Sequence, residues 1–395
     1  DFVEAMKKGQ APGNFVRDFQ YQFAEDKFVG KDLTVLARHL FKDNVIVDWD
    51  FAPSPHGLGW LVREDGVCLS LTYQPEQEVY AWGQATTNGK YKSVAVIREG
   101  DNDIPYFIVE RTINGVTSNY IERQDARDFK TLSEAFCVDC GLSLDNPIDI
   151  SGYTSANPMV ITTSTPHGLT DGDYVDISKV YEVDTGVTPG VSMSSDINGT
   201  GYTVANSTAT TFEIQIEGVS VDGSGFAAYS SGGEAREAVT TVSGLWHLEG
   251  ATVVTAGNGY AEEGKVVTNG SVSLNAPASI VHVGLGYTCK LRTLPLSTYS
   301  KGQDTQGRVK NISRLTVQVE RAMGMWFGPT EGDDMRQARF GLPALYGQPL
   351  ELITDDLDVT LKAQWAKTKQ VVIEQRAPLP LTIRALIPDA TIGGN

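Results

Sequence analysis

Cys137-Val-Asp-Cys140 is the stretch whose spacing most directly suggests chemistry. Two thiols separated by two residues can exchange a disulfide or supply half of a zinc site. A zinc site needs a second such pair or two nearby histidines, and the sequence has neither. Cys68 and Cys289 stand alone, and four cysteines at this length make no disulfide framework, so all four read as structural thiols. The five histidines, His39, His56, His167, His247 and His282, are scattered without a His-x-x-x-His or HExxH among them. There is no GxSxG elbow and no Walker-type phosphate loop. Gly257-Asn-Gly259 has GxG spacing, but its surroundings are hairpin-like and it reads as a turn.

Carboxylates are abundant and therefore uninformative one by one. Glycoside hydrolysis needs two of them about 5–10 Å apart in a cleft, and 49 Asp and Glu residues point to no particular pair. The runs Glu331-Gly-Asp333-Asp334 and Asp355-Asp356-Leu-Asp358 carry the oxygen ligands that calcium prefers, without the spacing of a calcium loop. Both read as solvated turns. Tyr80, Trp82, Tyr91, Tyr106 and Tyr120 could stack on sugar rings if exposed; on half-buried strands they belong to a core, which is the expectation here. The residues thus assign no catalytic, cofactor-binding or metal-ligating position, and they imply no cofactor.

Whatever positions these side chains is built from strands. Asp65-Gly66, Asn88-Gly89 and Asn114-Gly115 each interrupt alternating apolar and polar runs, the signature of a hairpin. Val67, Leu69, Leu71 and Tyr73 follow the first; Tyr80 and Trp82 precede the second, with Val94 and Val96 after it. Phe107, Val109 and Ile113 precede the third. Two hairpins per unit would give a repeat near about 50 residues, the size of a propeller blade, with a simple meander as the alternative. One helix is expected over Lys31–Phe41, with Leu33, Leu36, Leu40 and Phe41 on its apolar face. Residues 126–146 read as a connector.

From Pro147 the composition turns to Gly, Ser, Thr and Asp, with strand candidates at Met159–Thr163, Asp173–Ser178, Gly201–Ala205 and Thr211–Ile216. Between Pro147 and Thr240 there are twelve Asp or Glu against two Lys or Arg, so this module carries most of the net charge of −17. Such an acidic balance speaks against a basic nucleic-acid surface. Asn269-Gly270 marks a fourth hairpin between Lys265–Thr268 and Ser271–Leu274. Ile280–Leu296, Arg314–Glu320, Leu357–Leu361, Val371–Gln375 and the segment after Pro380 read as further strands. The expected fold is mainly β: a propeller-like or meander body over 1–146, an inserted small β-barrel over 147–240, and a C-terminal β-rich domain over 241–395. No stretch approaches the roughly 18 apolar residues of a membrane span, and no charged-then-apolar leader opens the chain. Beginning at Asp1 rather than Met, it is expected to be a trimmed or partial product.

N-P-M-V-I-T-T-S-T-P-H-G-L-T-D-G-D-Y-V-D-I (157–177), N-G-T-G-Y-T-V (198–204), T-T-F-E-I (210–214) and S-G-G-E (231–234) form an ordered pattern. It resembles the small barrel module named after the first catalytic cysteine half-domain of ubiquitin-activating enzymes, which recurs in phage tail proteins without ubiquitin chemistry. The flanks are similar to the nozzle, hub or tail tubular proteins at the tail tip of short-tailed bacteriophages. The segments that carry this are K-D-L-T-V-L-A-R-H-L-F (31–41), L-T-Y-Q-P-E-Q-E-V-Y-A-W (71–82), S-V-A-V-I (93–97), N-Y-I-E-R (119–123), H-L-E-G (247–250), H-V-G-L-G-Y (282–287), L-R-T-L-P-L (291–296) and P-L-P-L-T-I-R-A-L-I-P (378–388).

The resemblance implies a non-enzymatic virion protein that forms a homo-oligomeric ring, expected to hold six copies, and extends and closes the DNA-ejection channel. Implied partners are adaptor or portal-side tail proteins and tail fibres or spikes, with viral DNA passing through unbound by sequence and the host surface nearby. It also implies a missing N-terminal portion, since the family's chains are longer. The alternatives are a glycan-binding tail module using the barrel and the aromatic hairpins, and a polysaccharide-degrading enzyme.

Overall fold

The computed structural model describes residues 15–22, 26–183, 192–194, 196–297, 299–300, 303–330, 334–340 and 351–393. The protein is mainly β, 57% strand against 5% helix, with a closed six-stranded barrel and several further sheets. No helix among the described residues is long and apolar enough to cross a membrane. The chain divides into two compact units, one ending at Asp128 and the other beginning at Phe129.

In the first unit, β1 (Arg17–Gln22) and β2 (Lys27–Asp32) form a hairpin. The helix expected over Lys31–Phe41 is only the single turn α1 (Arg38–Phe41). Asp32 is the reason: its carboxylate accepts from the Thr34 N–H at 2.8 Å and the Thr34 hydroxyl at 2.6 Å, while the Leu33 N–H bonds Val16. Those bonds hold 33–37 in turns, a local side-chain alternative to helix. Leu33, Leu40 and Phe41 are buried as expected, but Leu36 is 95% exposed.

Next, β3 (Ile46–Ala52), β4 (Leu58–Arg63), β5 (Cys68–Gln74) and β6 (Val79–Ala85) form a four-stranded antiparallel meander. A three-stranded meander follows, of β7 (Lys90–Glu99), β8 (Asn102–Ile113) and β9 (Val116–Arg123). The period-2 pattern sorts the four-stranded sheet into two faces. Leu61, Leu69 and Leu71 pack with Leu33, Leu40 and Phe41 on one. Trp60, Val62 and Cys68 pack with Val94, Phe107 and Val109 on the other.

The two sheets are also joined edge to edge. Asp50 of β3 accepts from the Val96 N–H at 2.6 Å, and Asp48 from the Val94 N–H at 3.0 Å. Carboxylates thereby satisfy edge N–H groups of β7 that no strand pairs. Pro105 stands opposite Val96 on β8. Val96 turns its N–H away from β8 to Asp50, so the pair exchanges no ladder bond there and Pro105 is not called on to donate.

Asn88-Gly89 does not make the expected hairpin: among the described residues β6 pairs only with β5 and β7 only with β8, so the segment crosses between sheets. Arg111 decides this. Its fully buried guanidinium donates to Thr87 Oγ1 at 2.7 Å and the Asn88 carbonyl at 2.9 Å, and pairs with both oxygens of Glu122. A Cβ at Gly89 would sit 2.6 Å from the Glu110 carbonyl oxygen and 3.1 Å from Arg111 Cγ. Glycine is there for close approach, not for a turn. Asp65-Gly66 and Asn114-Gly115 do join paired strands, and Asn114 and Gly115 both have the positive φ of a type I′ turn.

The second unit opens with β10 (Asp139–Asp145), then leaves that sheet to build the barrel. Its strands are β11 (Ile148–Tyr153), β12 (Val160–Thr163), β13 (Tyr174–Val183), β14 (Ser192–Ser194), β15 (Gly199–Ala205), β16 (Thr211–Ile216), β17 (Val219–Ser220) and β18 (Tyr229–Val242). Six of them, in the order β13-β15-β16-β12-β11-β18, close because β18 returns to pair with β13. All four strand candidates of the acidic module lie on this barrel. Closure removes the open edges that short strands would expose. Alternate residues fill the inside, among them Ile161, Val175, Ile177, Tyr202, Val204, Phe212 and Ile214. The S-G-G-E segment has a steric basis: Gly233 has φ +106°, and a Cβ there would lie 2.8 Å from Ile150 Cβ and 2.9 Å from Val180 Cγ2.

After the barrel come β19 (Thr252–Gly257), β20 (Tyr260–Val266), β21 (Val272–Ala278) and β22 (Ile280–Leu285). β22 pairs with β10 and β19, so the barrel is an insertion within one four-stranded sheet, β10-β22-β19-β20. Asn269-Gly270 makes its tight turn, with reciprocal bonds between Thr268 and Ser271, but β20 and β21 then part to different sheets.

Polar side chains fix the insertion in place. Arg236 of β18 pairs with Asp145 of β10 at 2.7 Å. Asn258 donates to Asp176 of the barrel at 3.1 Å while its Oδ1 accepts from the Ser279 and Ile280 N–H groups.

The remaining strands are β23 (Cys289–Arg292), β24 (Tyr299–Ser300), β25 (Gln303–Asp304), β26 (Lys310–Ala322), β27 (Trp326–Gly328), β28 (Arg336–Gln337), β29 (Ile353–Thr360), β30 (Val372–Gln375) and β31 (Thr382–Ile392). β26 lies between β29 and β31, and its alternation is as read: Leu315, Val317 and Val319 are buried in one core with Phe327, Val359 and Ile373.

Candidate functional site

Several of the residues singled out for chemistry have local structural partners. No disulfide joins the cysteines. Burial pushes the Cys68 thiol up to about 12. The Cys140 carbonyl lies 3.0 Å from His247 Nε2. His167 accepts from the Leu169 N–H at 3.0 Å and packs edge-on against Phe212, so the T-P-H-G-L-T segment folds a barrel loop. No group of three or more His, Cys, Asp or Glu among the described residues is arranged to hold a metal.

One of the two acidic runs differs from expectation. Asp355, Asp356 and Asp358 lie on strand β29, not on a turn, because β26 offers cross-strand partners. Arg314 pairs with Asp358, and Thr316 donates to it at 2.6 Å. Residues 331–333 of the other run lie outside the described residues, and Asp334 pairs with Lys362 at 2.6 Å.

The five aromatic residues are half-buried on their strands. Trp82 packs edge-on against Phe41 and donates Nε1–H to the Leu33 carbonyl at 2.8 Å. Tyr91 packs against Phe107, and Tyr106 donates to Glu99. Hydrogen bonds from Arg123 and Tyr106 hold the Glu99 carboxyl below the usual carboxylate range.

One pair resembles catalytic geometry. Ser143 Oγ lies 2.7 Å from His282 Nδ1, and His282 Nε2 lies 2.9 Å from the Ser133 carbonyl. A carbonyl partner makes Nε2 the protonated nitrogen and Nδ1 the acceptor. Ser143 and His282 face each other across β10 and β22, and the ring packs edge-on against Phe136. This is a cross-strand bond that ties residue 133 to the sheet.

The first unit holds a cavity of about 340 Å³. Three segments distant in sequence line it: the end of β3 with the following loop and the start of β4, the start of β8, and the chain just after β9. Asp103 fixes the wall, accepting from the Ser54 N–H at 2.8 Å and from Arg98. The Gln124 N–H bonds the Pro105 carbonyl at 3.0 Å, which pins the third segment. Ala52, Leu58, Trp60, Ile104 and Pro105 form the apolar side.

Two observations distinguish this cavity. Trp60 is 4% exposed and packs edge-on against Phe107 at 5.6 Å, yet its buried Nε1–H has no hydrogen-bond partner among the described residues. The side chains of His56, Asn102, Gln124 and Arg127 also line it, and among the described residues none makes a side-chain hydrogen bond or ion pair. Sequence reading passed over this site because no motif spans its three segments. The one local signal is Trp60, an aromatic residue with a polar edge inside an apolar run.

The chain matches no known protein-family model and no curated protein.

Proposed function

We propose that this chain is a structural, non-enzymatic subunit of the nozzle ring of a short phage tail. Copies form a ring that extends the DNA channel, hold it shut, and open it on adsorption by a two-state rearrangement. Adaptor or portal-side proteins lie above the ring, fibres or spikes lie beside it, and DNA passes through without sequence-specific binding. A ring uses one heterologous contact repeatedly and closes when the rotation closes.

The observation that supports this reading is the insertion: a closed barrel set between β10 and β19 of one sheet. Segments 157–177, 198–204, 210–214 and 231–234, which carry the module resemblance, all fall within that barrel region. The acidic charge fits a conduit, because a wall without basic patches avoids the counterion release that drives proteins onto DNA.

Native mass measurement and electron microscopy of the chain, alone and with purified tails, test the proposal. A closed ring of roughly six copies coaxial with the tail is expected. Peripheral copies with no axial channel would overturn it.

A further inference from the structure

We propose that Asn114 is a site of spontaneous covalent modification, converted in the folded chain to aspartate or isoaspartate through a succinimide formed with Gly115. This is independent of ring assembly.

The chemistry is local. The main-chain nitrogen of Gly115 loses its proton and attacks Asn114 Cγ. A C–N bond forms, and the bond from Cγ to the side-chain nitrogen breaks as ammonia leaves. Water then opens the succinimide at either carbonyl. One opening gives aspartate; the other gives isoaspartate, whose backbone runs through Cγ. Water is the sole co-reactant. Glycine favours the attack because no side chain shields its nitrogen.

Five Asn-Gly steps share this sequence, at Asn88, Asn114, Asn198, Asn258 and Asn269. The fold guards four of them. The Asn88 carbonyl is held by buried Arg111, and the Gly89 N–H is spent on the Thr87 carbonyl at 2.8 Å. The Asn198 side chain both donates to and accepts from the Val180 backbone, at 2.9 Å each. Asn258 donates to Asp176 and accepts from the Ser279 and Ile280 N–H groups. At the last step the Gly270 N–H, the would-be nucleophile, donates to Glu249 at 2.7 Å.

Asn114-Gly115 has no such guard. Both residues are exposed at the tip of the β8–β9 hairpin, and a Cβ built on Gly115 would meet nothing within 4 Å. Neither the Asn114 amide nor the Gly115 N–H makes a hydrogen bond among the described residues. Turn geometry is not what separates the steps. Asn114 and Asn258 have φ of 49° and 47°, and the glycines after them 76° and 82°. What differs is the side chain, tied down at Asn258 and unspent at Asn114. The turn must open briefly for nitrogen to reach Cγ, and opening is least costly at an exposed tip with no bonds to break. No charged residue lies between Thr112 and Tyr120, so conversion places a carboxylate on a neutral tip.

The test incubates the full 395-residue chain at mildly alkaline pH, folded and in guanidinium chloride, and follows each asparagine by tryptic peptide mass spectrometry. Cleavage after Arg111 and Arg123 releases residues 112–123, whose fragment ions separate Asn114 from Asn119. In the folded chain Asn114 should convert about tenfold or more faster than each of the four guarded asparagines, which must first break at least one hydrogen bond. In guanidinium chloride the five rates should converge, because the local sequence is shared. A guarded asparagine that keeps pace with Asn114 in the folded chain overturns the proposal. So does an Asn114 that converts only in guanidinium chloride.

Discussion

The Asp48 and Asp50 carboxylates are predicted to hold the two sheets of the first unit together. Each uses both oxygens: Oδ1 accepts from the N–H of the next residue, at 3.0 Å for Trp49 and 2.8 Å for Phe51. Oδ2 accepts from Val94 or Val96 across the gap. Asp48→Ala with Asp50→Ala therefore strips two edge N–H groups of β7 of charged acceptors. A hydrogen bond to a charged group is worth about 1.5–3 kcal/mol. The four residues are half-buried or buried, and water reaches part of the region, so the lower figure applies to each and the pair should cost about 3 kcal/mol.

Asp→Asn at both positions should cost less, since an amide oxygen still serves one of the two N–H groups while its NH₂ opposes the other. Urea unfolding gives the magnitude, and amide hydrogen exchange gives the location. Exchange at Val94 and Val96 should quicken in the alanine pair. A loss below about 0.5 kcal/mol, within the range of ordinary surface changes, would refute the clamp. Unchanged exchange at both amides would refute it separately.

Glu122→Ala leaves the fully buried Arg111 guanidinium without its ion partner and should cost about 3 kcal/mol in urea unfolding, the low end for a broken buried pair because Glu122 is 20% exposed. Replacing both as Arg111→Met with Glu122→Leu should cost less than Glu122→Ala alone; an equal or larger loss contradicts the stranded-charge account. Burial pushes the Glu234 carboxyl up, but hydrogen bonds from Lys179 and Arg236 outweigh this and hold it below its ordinary 4.5. A depressed carboxyl adds stability that is present above that value and lost as pH falls through the folded-state value. Thermal melts of Glu234→Gln should accordingly show a shallower loss below about pH 4.5 than the unchanged chain, and parallel curves would contradict the pairing. Finally, Cys68, buried with its thiol pushed up to about 12, should resist a thiol reagent at mildly alkaline pH until the protein unfolds, while exposed Cys289 reacts earlier; equal rates would place Cys68 at the surface.

Much of the fold was legible in the sequence because strand burial has period 2. Leu69 and Leu71, Val317 and Val319, and Phe212 and Ile214 all alternate as their neighbours require. The barrel strands were legible for the same reason, bounded by turn residues. What alternation does not encode is which strand pairs with which. Asn88-Gly89 and Asn114-Gly115 have the same local chemistry, yet only the second closes a hairpin. The difference is Arg111, more than twenty residues beyond the first pair in sequence, whose guanidinium takes the Thr87 hydroxyl and the Asn88 carbonyl.

The 31–41 segment failed on a shorter scale. Leucine spacing suggested a helix, but Asp32 and Thr34 offered the backbone a turn first. The cavity has the same non-local origin as the crossover. Its polar residues come from the loop after β3, the start of β8 and the chain after β9, and Asp103, Ser54 and Pro105 bring them together through bonds that no linear motif contains. Burial in that assembled setting gives Trp60 a meaning its local sequence lacks. On one strand it is an aromatic residue among apolar neighbours; in the folded unit its ring packs edge-on against Phe107 in the core while its N–H has no partner among the described residues.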